Sequence, residues 1–218
     1  MSKKLIIFGN SDQAKCVYNV FQIEGIDVHG FCVDDTYWQD STFVSKPIYK
    51  SSWFVENLCP GEYMLFLPLG QRGGCKFRKI KYEYFKQLGY EFYTFISRAS
   101  LCYTNRENIG KNVYIGMGTG IHPDVMIHDN CYLSDYSSIG HDSIILEHSF
   151  IGPSVTICGN CRIGESVSIG AGTIVRENVS IIDGATLGMG ISIHRDITKP
   201  KTYFISPLDK KYYDRRNR

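Results

Sequence analysis

From Ile109 to Ile193 a large aliphatic residue occupies every sixth position without a slip: Ile109, Ile115, Ile121, Ile127, Leu133, Ile139, Ile145, Ile151, Ile157, Ile163, Ile169, Val175, Ile181, Leu187 and Ile193. Four residues after each comes a mostly small or β-branched side chain, and glycine often follows the aliphatic one directly, as at Gly110, Gly116, Gly140, Gly152, Gly164, Gly170 and Gly188. A period of six matches neither the 3.6 of a helix nor the two of one long strand. It fits a chain that runs as a short strand, turns a corner and repeats. Three such strands close a triangular coil of 18 residues, so the 15 hexads give about five coils stacked at the roughly 4.8 Å spacing of strand ladders, a prism about 24 Å tall.

Ahead of the hexads the pattern alternates between strands and helices. Lys4 to Phe8 reads as a buried strand stopping at Gly9, and Asn10-Ser11-Asp12 offers the N-cap chemistry of a helix running to about Glu24. A second strand, Val28 to Val33, stops at Asp34-Asp35. A third, Met64 to Leu69, stops at Gly70. Phe77, Ile80, Tyr84 and Leu88 suggest the apolar face of a helix closed by Gly89, and Glu91 to Ile96 a fourth strand. This alternation predicts a small parallel sheet of doubly wound type, whose ligands sit beyond the carboxyl ends of the strands. Those ends fall at Gly9 to Gln13, at Asp34-Asp35 and at Gly70 to Arg72. A glycine-bearing turn that feeds a helix N-terminus suits a phosphate, and a carboxylate at the end of the second strand suits a ribose hydroxyl or the donor edge of a base. The segment 43–61, with adjacent hydroxyls at Ser51-Ser52, carries no assigned chemistry.

Charge and cysteine usage narrow the classes. Net charge is +2, but residues 198–218 hold seven Lys/Arg against two Asp/Glu, so the basic excess is a tail and the remainder is slightly acidic. No nucleic-acid partner is expected. The eight cysteines lack a disulfide-framework spacing, and Cys158-x-x-Cys161 sits inside the hexad register, so reduced thiols are expected. The apolar run Leu5 to Phe8 is too short for a signal peptide, and no stretch approaches the roughly 20 apolar residues of a membrane span, so a soluble cytoplasmic protein is expected.

The combination of this first unit with a hexad prism resembles the NeuD/PglD-type sugar acyltransferases over nearly the whole chain. In that family the first turn commonly reads G-A-S-G-H-G; here it is Gly9-Asn10-Ser11-Asp12-Gln13-Ala14, and the paired aspartates match as Asp34 and Asp35. The resemblance implies a left-handed parallel β-helix after the α/β unit. It implies a partition into a nucleotide-sugar-binding domain at 1–97, a linker at 98–108, an acyltransferase β-helix at 109–198 and a basic tail at 199–218. It also implies a homotrimer using acetyl-coenzyme A, with no metal and no membrane insertion. The expected substrate is a nucleotide-linked deoxy-aminosugar for surface-glycan synthesis, held by Gly9, Asn10, Ser11, Gln13, Asp34, Asp35 and Gly70.

Acyl transfer needs a base and an oxyanion donor. Gly140-His141-Asp142 supplies the candidates: His141 stands at a corner of its hexad, projecting outward, with a carboxylate beside it to orient the ring. Gly159, 18 residues on, is expected one coil above, leaving room for a thioester and an exposed amide. By resemblance His141, Asp142 and Gly159 are the catalytic set, although the family more often has Glu at position 142. Coenzyme contacts are implied at Phe150, Gly159, Gly172, Gly188, Gly190 and Pro207. Some relatives carry a second histidine where this chain has Phe150, and His148 is the alternative source. Lys210, Lys211, Arg215 and Arg216 are available to the coenzyme's phosphates. Three other readings compete: sugar O-acetylation of the sialic-acid type, a catalytically dead nucleotide-sugar scaffold, and a zinc hydrase using His122 and His141 from adjacent coils.

Overall fold

The computed structural model describes residues 3–70 and 75–203 of the 218-residue chain. Arg72, Pro207 and the basic residues of the tail beyond Tyr203 lie outside the described residues.

The first unit is a six-stranded sheet. Its strands are β1 (Lys4–Phe8), β2 (Gly30–Val33), β3 (Thr42–Phe43), β4 (Lys46–Lys50), β5 (Tyr63–Phe66) and β6 (Glu91–Phe92), in the order β3-β4-β2-β1-β5-β6. All pairs are parallel except β3 with β4, so the sheet is mixed rather than wholly parallel. Helices α1 (Asp12–Ile23), α2 (Ser51–Asn57) and α3 (Lys76–Gln87) complete it. The segment 43–61 thus contributes a strand and a helix. Alternation along β1 explains the layering, because successive side chains of a strand point to opposite faces. Leu5 and Ile7 join Val17 and Phe21 of α1 in one buried cluster, while Ile6 and Phe8 join Phe54 of α2 and Phe85 of α3 in another.

Helix α3 corrects the sequence reading. Phe77, Ile80, Tyr84 and Leu88 are exposed, Ile80 at 62%, and the buried face carries Arg78, Tyr82 and Phe85, with Arg78 at 1%. The Arg78 guanidinium is tolerated because it donates to three carbonyls: Leu69 at 3.0 Å, His148 at 2.6 Å and Ser149 at 2.9 Å. Two of these belong to the hexad region, so the helix's orientation is set by a partner far along the chain.

The hexads fold into a three-sided parallel β-helix. One face holds the strands from Tyr114–Ile115 through Tyr132–Leu133, Phe150–Ile151 and Ser168–Ile169 to Thr186–Leu187. The second runs from Gly120–Ile121 through Ser138–Ile139, Thr156–Ile157 and Ile174–Val175 to Ser192–Ile193. The third contains Met126–Ile127, Ile144–Ile145, Arg162–Ile163 and Ser180–Ile181. Residues 18 apart pair throughout, as Ser138 with Thr156 and Ile139 with Ile157, so the inward aliphatics stack in one continuous core. The stack also extends past the regular hexads. β7 (Phe95–Ile96) pairs with Tyr114–Ile115, and β8 (Leu101–Cys102) pairs with Gly120–Ile121, so the segment read as a linker contains one strand of an additional coil. The run Glu91 to Ile96 is accordingly two strands. Tyr93 N donates to Leu65 in the first sheet and Phe95 N to Val113 in the prism, both at 2.8 Å.

The first face and its corner with the third receive the N-terminal unit. Tyr114, Tyr132 and Phe150 form a stacked column, with centroids 4.4 and 5.5 Å apart, that packs into the α1 side of the sheet. Such pairs add about 1 kcal/mol each beyond their buried area. At the corner, Leu67 N donates to Asn112 Oδ1 at 2.8 Å, Asn112 Nδ2 to Asn130 Oδ1 at 2.7 Å, and Asn130 Nδ2 lies 2.8 Å from His148 Nδ1. Buried amides are thereby satisfied in a ladder that repeats once per coil.

Candidate active site

His141 leaves the second face at the corner with the third, just after Ser138–Ile139. Asp142 occupies the left-handed region, φ +57°, which aspartate tolerates better than most residues. The shorter acidic side chain reaches the ring: Asp142 Oδ2 is 2.7 Å from His141 Nδ1. Both side chains are more than half exposed. A carboxylate on Nδ1 favours the tautomer with the proton there and leaves Nε2 as acceptor. The other ring edge lies against Gly159, where an added Cβ would come within 2.6 Å of Nε2 and 2.8 Å of Cε1, so any side chain there would displace the ring.

The Gly159 amide belongs to the uncapped corners of the prism, as does that of His141 one coil before it. At Lys111, Met117 and Glu165, which hold the same place in their hexads, the backbone N–H donates to the carboxylate of Asp129, Asp135 or Asp183 one coil on, at 2.8 to 3.1 Å. The residue one coil beyond Gly159 is Glu177, and its carboxylate pairs instead with Arg176 Nε at 3.0 Å. The Gly159 N–H donates to no acceptor among the described residues. A solvent-reachable imidazole with a free Nε2 and an uncovered amide therefore share one corner. Together they can accept a proton and stabilise an oxyanion.

A second site lies at the carboxyl edge of the first sheet. A cavity of about 730 Å³, within the size range of small-molecule sites, is lined by Phe8, Gly9, Asn10, Ser11, Val33, Asp34, Tyr37, Leu69, Gly70, Lys76, Phe77 and Ile80. Gly9 turns the chain at φ +121° into α1, whose first-turn amides have no intrahelical acceptors. Ser11 is the N-cap residue, but its side chain makes no capping bond. Asn10 Nδ2 ties the turn to Tyr37 O at 3.1 Å.

The expected ligand residues therefore divide. Gly9, Asn10, Ser11, Asp34 and Gly70 converge on the cavity. Gln13 does not line it, because its Nε2 donates to Tyr132 Oη at 2.5 Å. Asp35 lies outside it as well, holding the start of α2; the hydroxyl and amide of Ser52, and then the hydroxyl of Ser51, keep its carboxyl below the usual range. Phe150 is on the first face beneath the N-terminal unit, away from the His141 corner. His148 is buried there too, and burial lowers its pKa to about 4, so it does not reach a thioester at Gly159. Gly172, Gly188 and Gly190 line the corner between the first and second faces, one corner away from His141. Tyr37, Lys76, Phe77 and Ile80 were missed as cavity residues; the only sequence signal was an apolar helical stripe, read as core. Among the described residues no group of three or more His, Cys, Asp and Glu converges as metal ligands. All eight cysteines are free thiols, and no described helix is long and apolar enough to cross a membrane.

Within one chain the two sites are apart. The corner carrying His141 is opposite the face that receives the N-terminal unit, and among the described residues His141 makes no hydrogen bond to that unit.

Comparison with known proteins agrees with this architecture. The family "Bacterial transferase hexapeptide (six repeats)" matches residues 108–141 and 142–177. No curated protein matches the sequence significantly. Among solved structures, the acetyltransferase domain of PglB from Neisseria gonorrhoeae FA1090 is similar with a TM-score of 0.81 and 22% identity, over 94% of this chain and 98% of that one. PerB from Caulobacter crescentus, in complex with CoA and GDP-perosamine, gives a TM-score of 0.82 at 19% identity over 95% and 96%. WeeI from Acinetobacter baumannii AYE gives 0.81 at 18% over 94% and 98%. Residues 108–177 thus carry the hexapeptide repeat, and the chain has the two-part fold seen in the PglB acetyltransferase domain and PerB.

Proposed function

We propose that the protein transfers the acetyl group of acetyl-coenzyme A to an amino group of a nucleotide-linked deoxy-aminosugar. One observation carries the reading: the exposed His141 ring is held at Nδ1 by Asp142, and its Nε2 edge faces Gly159, whose N–H has no acceptor among the described residues. Relatives of this fold supply the substrate class, since PerB was solved with CoA and GDP-perosamine and the PglB domain with acetyl coenzyme A.

In this mechanism the neutral amine attacks the thioester carbonyl and a C–N bond forms. His141 Nε2 takes the amine proton while Asp142 stabilises the imidazolium through Nδ1–H. The Gly159 N–H donates to the oxyanion of the tetrahedral intermediate. Collapse breaks the C–S bond, and the proton held on His141 passes to the departing thiolate. The cavity at Gly9 to Ser11 and Asp34 holds the nucleotide, with the amides of α1 toward its phosphates. Because this cavity and His141 belong to opposite sides of one chain, the complete site forms between copies. In this reading the copies form a homotrimer, with the coenzyme in the groove between neighbouring prisms.

The test is free-thiol release from acetyl-coenzyme A in the presence of UDP-, dTDP- and GDP-linked aminosugars, with the oligomeric state measured by sedimentation. Release with at least one aminosugar, from a trimer, is expected. No release with any of them, or an active monomer, would count against the proposal.

A further inference from the structure

Asp34 and Asp35 are adjacent and equivalent in sequence, yet their side chains do different things. Asp35 Oδ1 accepts from Ser51 Oγ at 3.2 Å and Ser52 N at 3.1 Å, and Oδ2 accepts from Ser52 Oγ at 2.5 Å. Both oxygens are engaged at the start of α2. Asp34 lines the cavity, and its Oδ1 is paired with Lys81 Nζ, which reaches across from α3. Its second oxygen has no partner among the described residues. The Lys81 ammonium also lies over three rings: Phe77 at 5.5 Å, Phe8 at 5.7 Å and Tyr84 at 6.0 Å from the centroids. Both members of the pair are about four-fifths buried.

We propose that Lys81 is a positioning residue for nucleotide recognition. It fixes and neutralises the Asp34 carboxylate, so that the open oxygen accepts a hydrogen bond from an uncharged donor of the nucleotide, a ribose hydroxyl or a base N–H. The inference rests on the nucleotide-sugar reading of the cavity and assigns recognition to Asp34 alone. Two physical effects require the cation. A bare carboxylate in a cavity that must also admit phosphates repels them, and the repulsion is strong where water is excluded. An unanchored carboxylate also has to be ordered when the ligand binds, whereas the ion pair and the three rings set its geometry beforehand. Lys81 is held away from the ligand by the same contacts, so it acts through Asp34.

Calorimetric titration of the full-length protein with UDP, GDP and dTDP tests this without involving acetyl transfer. At least one diphosphate should bind the wild type. Lys81→Met and Asp34→Asn should each weaken that binding about tenfold or more, the worth of a charge-assisted hydrogen bond. Lys81→Arg should restore most of the affinity, and Asp35→Asn should bind as the wild type does while unfolding at lower temperature. A matched pair such as UDP and 2′-deoxy-UDP identifies the donor. Discrimination that vanishes in Asp34→Asn assigns the 2′-hydroxyl, and discrimination unaffected by it assigns a donor common to both nucleotides, the 3′-hydroxyl or the base N–H. With the acceptor sugar, Lys81→Met should raise KM and leave kcat unchanged, a split that general destabilisation does not produce. Wild-type affinity in folded Lys81→Met overturns the proposal. If that variant does not fold, unchanged affinity in Asp34→Asn does so. Failure of every diphosphate to bind the wild type removes the nucleotide reading beneath it, whatever the variants do.

Discussion

His141 and His148 stand on consecutive corners of the same coil, and their surroundings are opposite. His141 is open to solvent, bonded to Asp142, and set against a glycine with an uncovered amide. His148 is almost fully buried, its Nδ1 against Asn130 and its carbonyl receiving the guanidinium of Arg78. His148 takes the left-handed fourth place of its hexad, φ +64°, which Asp142 takes beside His141, so the two histidines leave their corners from neighbouring places. What covers each corner also differs: the N-terminal unit closes the one at His148, and the one at His141 is open to solvent. A repeat fold of this kind separates its two jobs by corner.

The sharpest way to break the comparison is to exchange the residues' importance. His141→Asn should lower turnover roughly 100-fold or more, the usual worth of general-base catalysis, with the unfolding temperature unchanged. Steady-state thiol release and thermal melting measure the two halves of that statement. Gly159→Ala should come next, since the new Cβ would meet the ring at 2.6 Å. Displacing a catalytic group by about 1 Å costs on the order of 100-fold, and KM for the acceptor sugar should hardly move. On the closed corner the loss should be of stability. Arg78→Met strips the donors from the carbonyls of Leu69, His148 and Ser149 and should cost about 2 kcal/mol in urea unfolding, with turnover per folded protein retained.

The smallest expected effect is a pH dependence. Burial is the main cause that lowers the folded pKa of His148 to about 4, from a model-peptide value of 6.5; the cations of Lys79 and Arg78 add to the lowering, while Glu165 and Glu147 oppose it. The folded state therefore disfavours the proton that the unfolded chain accepts. The associated stability is fully present above pH 6.5 and is lost progressively as the pH falls through that value towards 4. Unfolding midpoints between pH 7 and 5 should decline in the wild type and decline less in His148→Gln.

Most of the prism was legible in the residues because the inward position recurs at a fixed interval, and that interval also placed Gly159 beside His141 before any coordinates. Its ends were not, since Ile96 and Cys102 below and Ile197 and Tyr203 above join the core at irregular spacing. The coil count alone does not expose such residues. Helix α3 misled for a different reason: it has two interleaved stripes, and the one that contains an arginine is buried. Besides the nearby Leu69 carbonyl, it takes carbonyls from residues 148 and 149, some seventy positions away, to offset the burial of that guanidinium. The two aspartates were equally ambiguous, because the Ser51-Ser52 hydroxyls that occupy Asp35 had no visible partner in the linear chain. Gly172, Gly188 and Gly190 fit the glycine-rich pattern, yet they occupy a different corner from His141.

The most direct test of the account is to measure, on the same preparations, the turnover of wild type and His141→Asn with acetyl-coenzyme A and an accepted nucleotide aminosugar, together with the affinity of each protein for acetyl-coenzyme A. The account predicts equal affinities and a turnover collapsed by about two orders of magnitude or more in the variant. Near wild-type turnover in a folded His141→Asn protein would contradict it.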